Sequence, residues 1–240
     1  MSNLIYKRGQ IEWALWRSFR PLGSRDDGPP PIFKTRIKRL LDLDRELDVS
    51  QVAVKPPSEY AFVPSFEGGS GVEAAYEAAD AFALVLALDL LDIGFKQGEI
   101  VFVMRYLREV LDDWYPDLIK RPSLIDRQKL LASQHPKLPR YEPGRGRAVL
   151  ADARVFLILN RIEITGVIAP VGTKVKPGQA VFLQPEVCEG LAALDARLHD
   201  LMPLRRRSVI VLEMAAIAQS VTLFLDQAPV VPRGRPRRAA

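Results

Sequence analysis

Hydrophobic residues recur at helical spacing in two segments near the amino terminus. The first is residues 9–19, and residues 22–30 then break the pattern with glycine, aspartate and proline. The second begins at Pro31, where the first turn of a helix tolerates proline, and continues to residue 47. Its apolar stripe consists of Phe33, Ile37, Leu40 and Leu41. The pattern therefore predicts two successive helices.

The next part of the chain predicts a β-hairpin and two more helices. The β-prone runs 60–63 and 72–76 flank a glycine-containing segment, as the strands of a hairpin do. Residues 80–94 form a densely apolar helix closed by glycine, and residues 99–113 a further amphipathic helix. We expect Trp114, Tyr115 and Pro116 to end that helix. The predicted order is helix, helix, hairpin, helix, helix.

The second half of the chain predicts a separate, smaller domain. Proline and glycine interrupt residues 116–148, which is typical of a linker or an irregular connection. Strands are predicted at 153–159, 162–169, 180–183 and 209–212, and helices at 186–201 and 213–227. The apolar run 208–225 contains Glu213 and Gln219 and is short for a membrane span, so we interpret it as buried core. The second domain is expected to be a small α+β arrangement.

These elements divide the chain into four parts. The expected fold class is α+β, with a winged helix-turn-helix domain over residues 1–115 and an α+β dimerisation or sensor domain over residues 149–228. The connection covers residues 116–148, and a basic tail covers residues 229–240. The apolar closing helix of the second domain offers a surface for pairing with a copy of itself, so a homodimer is expected.

Charge points to a polyanionic partner. The net charge is +5, and residues 1–45 contain ten basic and five acidic residues, which accounts for all of it. Such a balance favours nucleic acid or an anionic membrane surface. The polar side of the second helix presents cations that suit a phosphate-lined groove. The residues predicted to bind DNA in this half of the chain are Arg17, Arg20, Lys34, Thr35, Arg36, Lys38, Arg39 and Arg45.

The element order and several residues resemble the MerR family of transcriptional regulators. In that family a helix-turn-helix and a wing precede an aromatic residue, an acidic helix start, a helix ending in leucine-glycine-aromatic, and another amphipathic helix. Here Tyr76, Asp80, residues 91–95 (LDIGF) and Glu99 are similar to that pattern. The resemblance covers about residues 6–113 and implies a DNA-binding domain whose second helix enters the major groove. The segment between the first two helices is longer than the family's tight turn.

A shorter motif lies near the carboxyl end. Residues 232–236 read Pro-Arg-Gly-Arg-Pro, the core of an AT-hook, and two more arginines follow. Glycine lets an extended backbone enter the narrow minor groove over A·T tracts, where the negative potential attracts arginine. The residues predicted to make this contact are Arg233, Gly234, Arg235 and Arg237.

The remaining chemistry-bearing residues favour structural roles. His135 and His199 have no Cys or His at metal-ligand spacing, and Cys188 is the single cysteine, so we expect no metal and no cofactor. The aspartate pairs at 42/44 and 112/113 are expected to be solvated, and Trp13 and Trp16 to serve packing. With no nucleophile and base assembled, we expect no enzyme.

The expected function is therefore a transcriptional regulator that binds double-stranded DNA. We expect it in the cytoplasm, associated with the nucleoid, with no membrane partner and with a small-molecule effector left open. The alternative is a protein-interaction adaptor, such as an antiactivator or a phage-like accessory factor, whose winged domain binds a protein. The carboxyl-terminal domain is compatible with a ligand sensor, a dimerisation module or a docking platform.

Overall fold

The computed structural model describes residues 4–20, 28–47, 58–63, 75–121, 154–163, 180–182, 185–201 and 208–229. The helices within them are α1 (Arg8–Ser18), α2 (Pro31–Glu46), α3 (Ala78–Asp92), α4 (Gln97–Leu118), α5 (Gly190–Leu201) and α6 (Met214–Gln227). The strands are β1 (Tyr6–Lys7), β2 (Ala75–Tyr76), β3 (Val155–Glu163), β4 (Ala180–Phe182), β5 (Glu186–Glu189) and β6 (Ser208–Glu213). Helices and two small antiparallel sheets make an α+β architecture.

The first two helices form within a residue of the predicted bounds. Their apolar stripes are buried, and α1 packs against α2 through aromatic rings. The ring centroids of Trp16 and Phe19 lie 5.2 and 6.0 Å from that of Phe33, in edge contacts that aromatic rings favour. The Trp13 ring makes a similar edge contact with Phe224 of α6, at 6.4 Å. The prediction that both tryptophans serve packing is confirmed.

The predicted hairpin is wrong in its pairing. Residues 60–63 are not a strand, and β2 pairs instead with β1, with Tyr76 opposite Tyr6. The reason is a competing partner, because the Ala61 and Phe62 N–H groups both donate to the carboxylate of Asp44. Burial of residues 61–63 stabilises this arrangement, whereas an isolated two-stranded hairpin has only marginal stability in water. The residues of the predicted wing between 64 and 74 lie outside the described residues.

Helices α3 and α4 follow the predicted pattern, with one difference at the end of α4. The turn between them is made by Gly94, at a φ of +100° that favours glycine, and its N–H donates to the Leu91 carbonyl. Helix α4 does not stop at residue 113 but continues through Pro116 to Leu118. Tyr115 and Leu118 are buried, and this packing offsets the hydrogen bond that Pro116 removes.

The second sheet is centred on β3, whose two sides are occupied by different partners. Strand β6 pairs with one side of β3, and β5 and β4 share the other. Strand β3 runs unbroken to Glu163, so the predicted break between residues 159 and 162 is wrong. The predicted helix at 186–201 is wrong in its first turn, because residues 186–189 form β5 and α5 begins at Gly190, where φ is +78°.

The hydrophobic core is continuous across the predicted domain boundary. Alternate residues of β3, namely Val155, Leu157 and Leu159, belong to the same buried cluster as α1 to α4. Helix α6 packs against α1, α3 and α4, and Gln219 donates from its side-chain amide to the carbonyls of Leu118 and Arg121. The interpretation of residues 208–225 as core is confirmed in α6. The apolar face predicted to pair with a second copy is therefore covered within the chain, and the homodimer stays a prediction.

Two buried ion pairs cross this core. Asp44 of α2 contacts Arg105 of α4, and Asp80 of α3 contacts Arg108, with N–O distances of 2.9 and 2.6 Å. Burial raises the pKa of Asp80 to about 6, although Arg108 and the Glu77 N–H both favour its ionised form. Asp44 is 1% exposed, so the expectation that it is solvated is wrong. Residues 112 and 113 are exposed, as predicted.

Candidate nucleic-acid interface

Helix α2 carries most of the predicted DNA-binding residues, and its inner side fixes how it is presented. Pro30 precedes the helix in an extended conformation, and Pro31 occupies its first turn, so the helix begins sharply. Phe33 and Ile37 are at most 5% exposed and face the core between α1 and α4. Side chains on the opposite side of the helix are therefore directed away from the core.

The carboxyl-terminal half of α2 is held by the carboxylate of Asp44. One oxygen accepts from the Arg105 Nε at 2.9 Å, and the other accepts from the N–H groups of Ala61 and Phe62 at 2.9 and 3.1 Å. Arg105 also donates to the main-chain carbonyls of Asp44 and Leu47. These contacts join α2 to residues 61–62 and to α4, which fixes the direction of the outer face.

The outer face of α2 is predominantly basic. The predicted residues that are exposed on it are Lys34, Thr35, Lys38, Arg39 and Arg45. Asp42 and Glu46 are the acidic residues on the same side, so four cations stand against two acids. Lys38 and Arg45 approach the Asp42 carboxylate at 3.2 and 3.8 Å, which are weak, solvent-exposed pairs.

Two of the exposed cations, Lys34 and Arg39, differ from the others in their contacts. Lys34 and Arg39 form no ion pair within the described part of the chain, and neither side chain is covered by another element. Arg36 differs from them, because it is half-buried and paired with Asp92 at the end of α3. The structure therefore brings together five of the six predicted α2 residues on one accessible surface and directs Arg36 toward α3.

The two predicted arginines of α1 and its carboxyl end lie against aromatic rings. The Arg17 guanidinium is 5.5 Å from the ring centroid of Phe224 and 5.9 Å from that of Trp13. The Arg20 guanidinium is 5.3 Å from the Trp16 ring. Arg17 thus contributes to the packing of α1 against α6. The tail residues Arg233, Gly234, Arg235 and Arg237 lie outside the described residues.

Carboxylates at the end of α3 set the electrostatics beside Arg36. Burial, and to a smaller extent the neighbouring Asp92 carboxylate, raises the pKa of Asp89 to about 6. Asp92 itself forms an ion pair with Arg36.

Sequence reasoning missed two residues of this site. Ile32, in the first turn of α2, is 74% exposed. Its position outside the apolar stripe of Phe33 and Ile37 is the sequence signal that predicts this exposure. The sequence pattern groups Asp44 with Asp42 as a solvated carboxylate, whereas its partners Ala61 and Arg105 lie 17 and 61 positions later in the chain. Local spacing carries no signal for contacts at that separation.

Comparison of the chain with protein-family models, with curated proteins and with solved structures finds no match. The resemblance to MerR-type regulators therefore stays an expectation based on the residues themselves. Among the described helices none has the length and apolar character needed to cross a membrane. Within the same residues, no cluster of three or more His, Cys, Asp or Glu side chains is placed to hold a metal ion.

Proposed function

We propose that this protein is a DNA-binding transcriptional regulator that places the outer face of α2 in the major groove of double-stranded DNA. The observation that carries the proposal is the accessibility of Lys34, Lys38 and Arg39 on a helix whose opposite face is fixed in the core. A recognition helix needs both properties, because it must reach the groove and must be held rigidly while doing so.

The elements behind α2 suit this role. The α1 helix braces α2 through the Trp16–Phe33 contact, as the first helix of a helix-turn-helix does. The Asp44–Arg105 pair holds the far end of the helix, so the basic face is presented as a unit. We propose a winged helix-turn-helix in which α1 and α2 are the two helices, and its wing stays a prediction because residues 64–74 lie outside the described residues.

The basic tail extends the proposal to a second groove. Arg233 and Arg235 of this tail are proposed to contact a narrow A·T-rich minor groove next to the site bound by α2. Two weak contacts on one chain raise the overall affinity, because binding of the first increases the local concentration of the second. Removing residues 230–240 should therefore weaken binding most on duplexes with A·T-rich flanks.

The test measures binding to a labelled genomic DNA pool by mobility shift and by fluorescence anisotropy across a range of salt concentrations. Lys34→Glu is compared with Lys120→Glu, which makes the same charge change at an exposed lysine near the end of α4. Lys34→Glu should weaken binding and the double variant with Lys38→Glu should abolish it, while Lys120→Glu should retain most of it. Wild-type affinity should fall steeply with salt.

Equal weakening by both single variants would show that binding depends on net charge alone, and the assignment to α2 would be rejected. A protein that shifts no DNA but is recovered with a stable protein partner would favour the adaptor function instead. In that case the same lysine variants test whether the α2 face is the protein-binding surface.

A further inference from the structure

The outer face of α2 carries two side-chain stripes of different chemistry. With about 100° of rotation per residue, Ile32, Thr35 and Arg39 lie within about 60° of one another around the helix. The cationic stripe, made of Lys34, Lys38 and Arg45, lies beside it, and its three members are within about 40° of one another. We call the first set the mixed stripe, and its composition differs from what phosphate binding alone requires.

Ile32 is the most exposed large hydrophobic residue in the described part of the chain, at 74%. A single exposed aliphatic residue is common on protein surfaces and needs no explanation by itself. Ile32 is relevant here because Thr35 and Arg39 lie one and two helical turns further along the same side. Removal of this apolar group from water by a partner would favour binding.

Thr35 adds a second apolar group to the mixed stripe. Its hydroxyl donates to the Pro31 carbonyl at 2.9 Å, so the hydroxyl hydrogen is already used within the helix. What Thr35 offers a partner is therefore its methyl group and an acceptor oxygen. An acceptor and a methyl group contribute little to binding a phosphate, which itself only accepts.

Arg39 completes the stripe with an exposed guanidinium that forms no ion pair within the described residues. By contrast, Arg36 is paired with Asp92, and Lys38 lies 3.2 Å from Asp42. The planar fork of an arginine matches the O6 and N7 acceptors of guanine in the major groove. The thymine 5-methyl is the apolar group that the same groove offers to side chains such as Ile32 and Thr35.

We infer that the mixed stripe reads base edges and that the cationic stripe contacts phosphates, an assignment that rests on the proposed DNA-binding function. Ile32 and Thr35 contact thymine methyl groups, and Arg39 binds guanine in a bidentate manner. The seven steps from Ile32 to Arg39 span roughly 10 Å along the helix at about 1.5 Å each. At about 3.4 Å per base pair, the preferred site holds a thymine and a guanine within about three base pairs.

The test begins with selection of bound duplexes from a random pool by the wild-type protein. Affinities for the selected duplex and for a scrambled duplex of equal composition are then measured by anisotropy at several salt concentrations. Ile32→Ser removes the apolar contact, and Arg39→Lys keeps the charge but loses the fork. Arg39→Lys should reduce the ratio of the two affinities about 5- to 150-fold, and Ile32→Ser should reduce it by a smaller factor. Both should leave the salt slope unchanged.

Lys34→Gln is the matched control from the cationic stripe. It should lower affinity for both duplexes equally and reduce the salt slope by about 0.9, while the ratio of affinities stays the same. All three substitutions are at exposed positions, so each variant should unfold at the wild-type urea concentration.

The outcomes separate this inference from the function on which it rests. If the wild type is specific but Ile32→Ser and Arg39→Lys keep the full ratio, the stripe assignment is overturned and DNA binding by α2 stands. If Lys34→Gln changes the ratio as much as Arg39→Lys does, the division of labour is also overturned. If the wild type binds no duplex better than its Lys34→Glu variant, both proposals fail.

Discussion

Replacing Asp44 with alanine should destabilise the protein by about 3 kcal/mol, at the lower end of the 3–5 kcal/mol that breaking a buried ion pair costs. The substitution leaves the Ala61 and Phe62 N–H groups without an acceptor and leaves the Arg105 guanidinium, 3% exposed, without its counter-charge. The loss is at the lower end because Arg105 keeps its bonds to the carbonyls of residue 44 and Leu47. Asp44→Asn, which keeps the shape, should cost about 1.5–3 kcal/mol.

The assay is urea unfolding followed by circular dichroism, which gives a free energy of unfolding for each variant. Asp42→Ala is the control, because Asp42 lies two residues earlier on the same helix and its pairs with Lys38 and Arg45 are exposed. It should cost less than about 1 kcal/mol. If Asp44→Ala and Asp42→Ala differ by less than about 1 kcal/mol, Asp44 does not hold α2 in the way derived above.

Three further predictions concern the rest of the core. Gly94→Ala should destabilise the protein by about 1–2 kcal/mol because residue 94 has a positive φ. Gly98→Ala, in the first turn of α4, is the control and should be neutral or stabilising. Urea unfolding compares the two variants, and equal effects would show that the backbone at residue 94 does not require glycine. Tyr115→Phe removes the 2.7 Å hydrogen bond to Thr222 and should cost about 0.5–1.5 kcal/mol, an effect that should vanish in a Thr222→Val background. The raised pKa of Asp89 means that the folded state binds its proton more tightly, so Asp89 lowers the free energy of unfolding as pH rises from about 4 to about 6. Asp80 titrates in the same range, so Asp89→Asn should make this part of the profile less steep, and an unchanged slope would contradict it.

Part of the candidate site follows from the sequence alone. The spacing of Phe33 and Ile37 identifies the buried side of α2, and rotation of about 100° per residue then places Lys34, Lys38 and Arg39 on the accessible side. The position of Arg36 against Asp92 does not follow, because that contact joins residues 56 positions apart. The sequence pattern gives the face of a helix but not the neighbour that covers its edge.

Apolar periodicity and the boundaries at Pro31 and Gly94 act locally, so the principal helices can be located from the sequence. The contacts of those helices depend on the folded chain. In the strand-like run at 60–63, the Ala61 and Phe62 N–H groups donate to Asp44. Helix α4 continues past Pro116 because Tyr115 is buried, and α6 lies in the core of the amino-terminal helices. In each case a long-range contact contributes more free energy than the local preference, and local spacing carries no record of that contact.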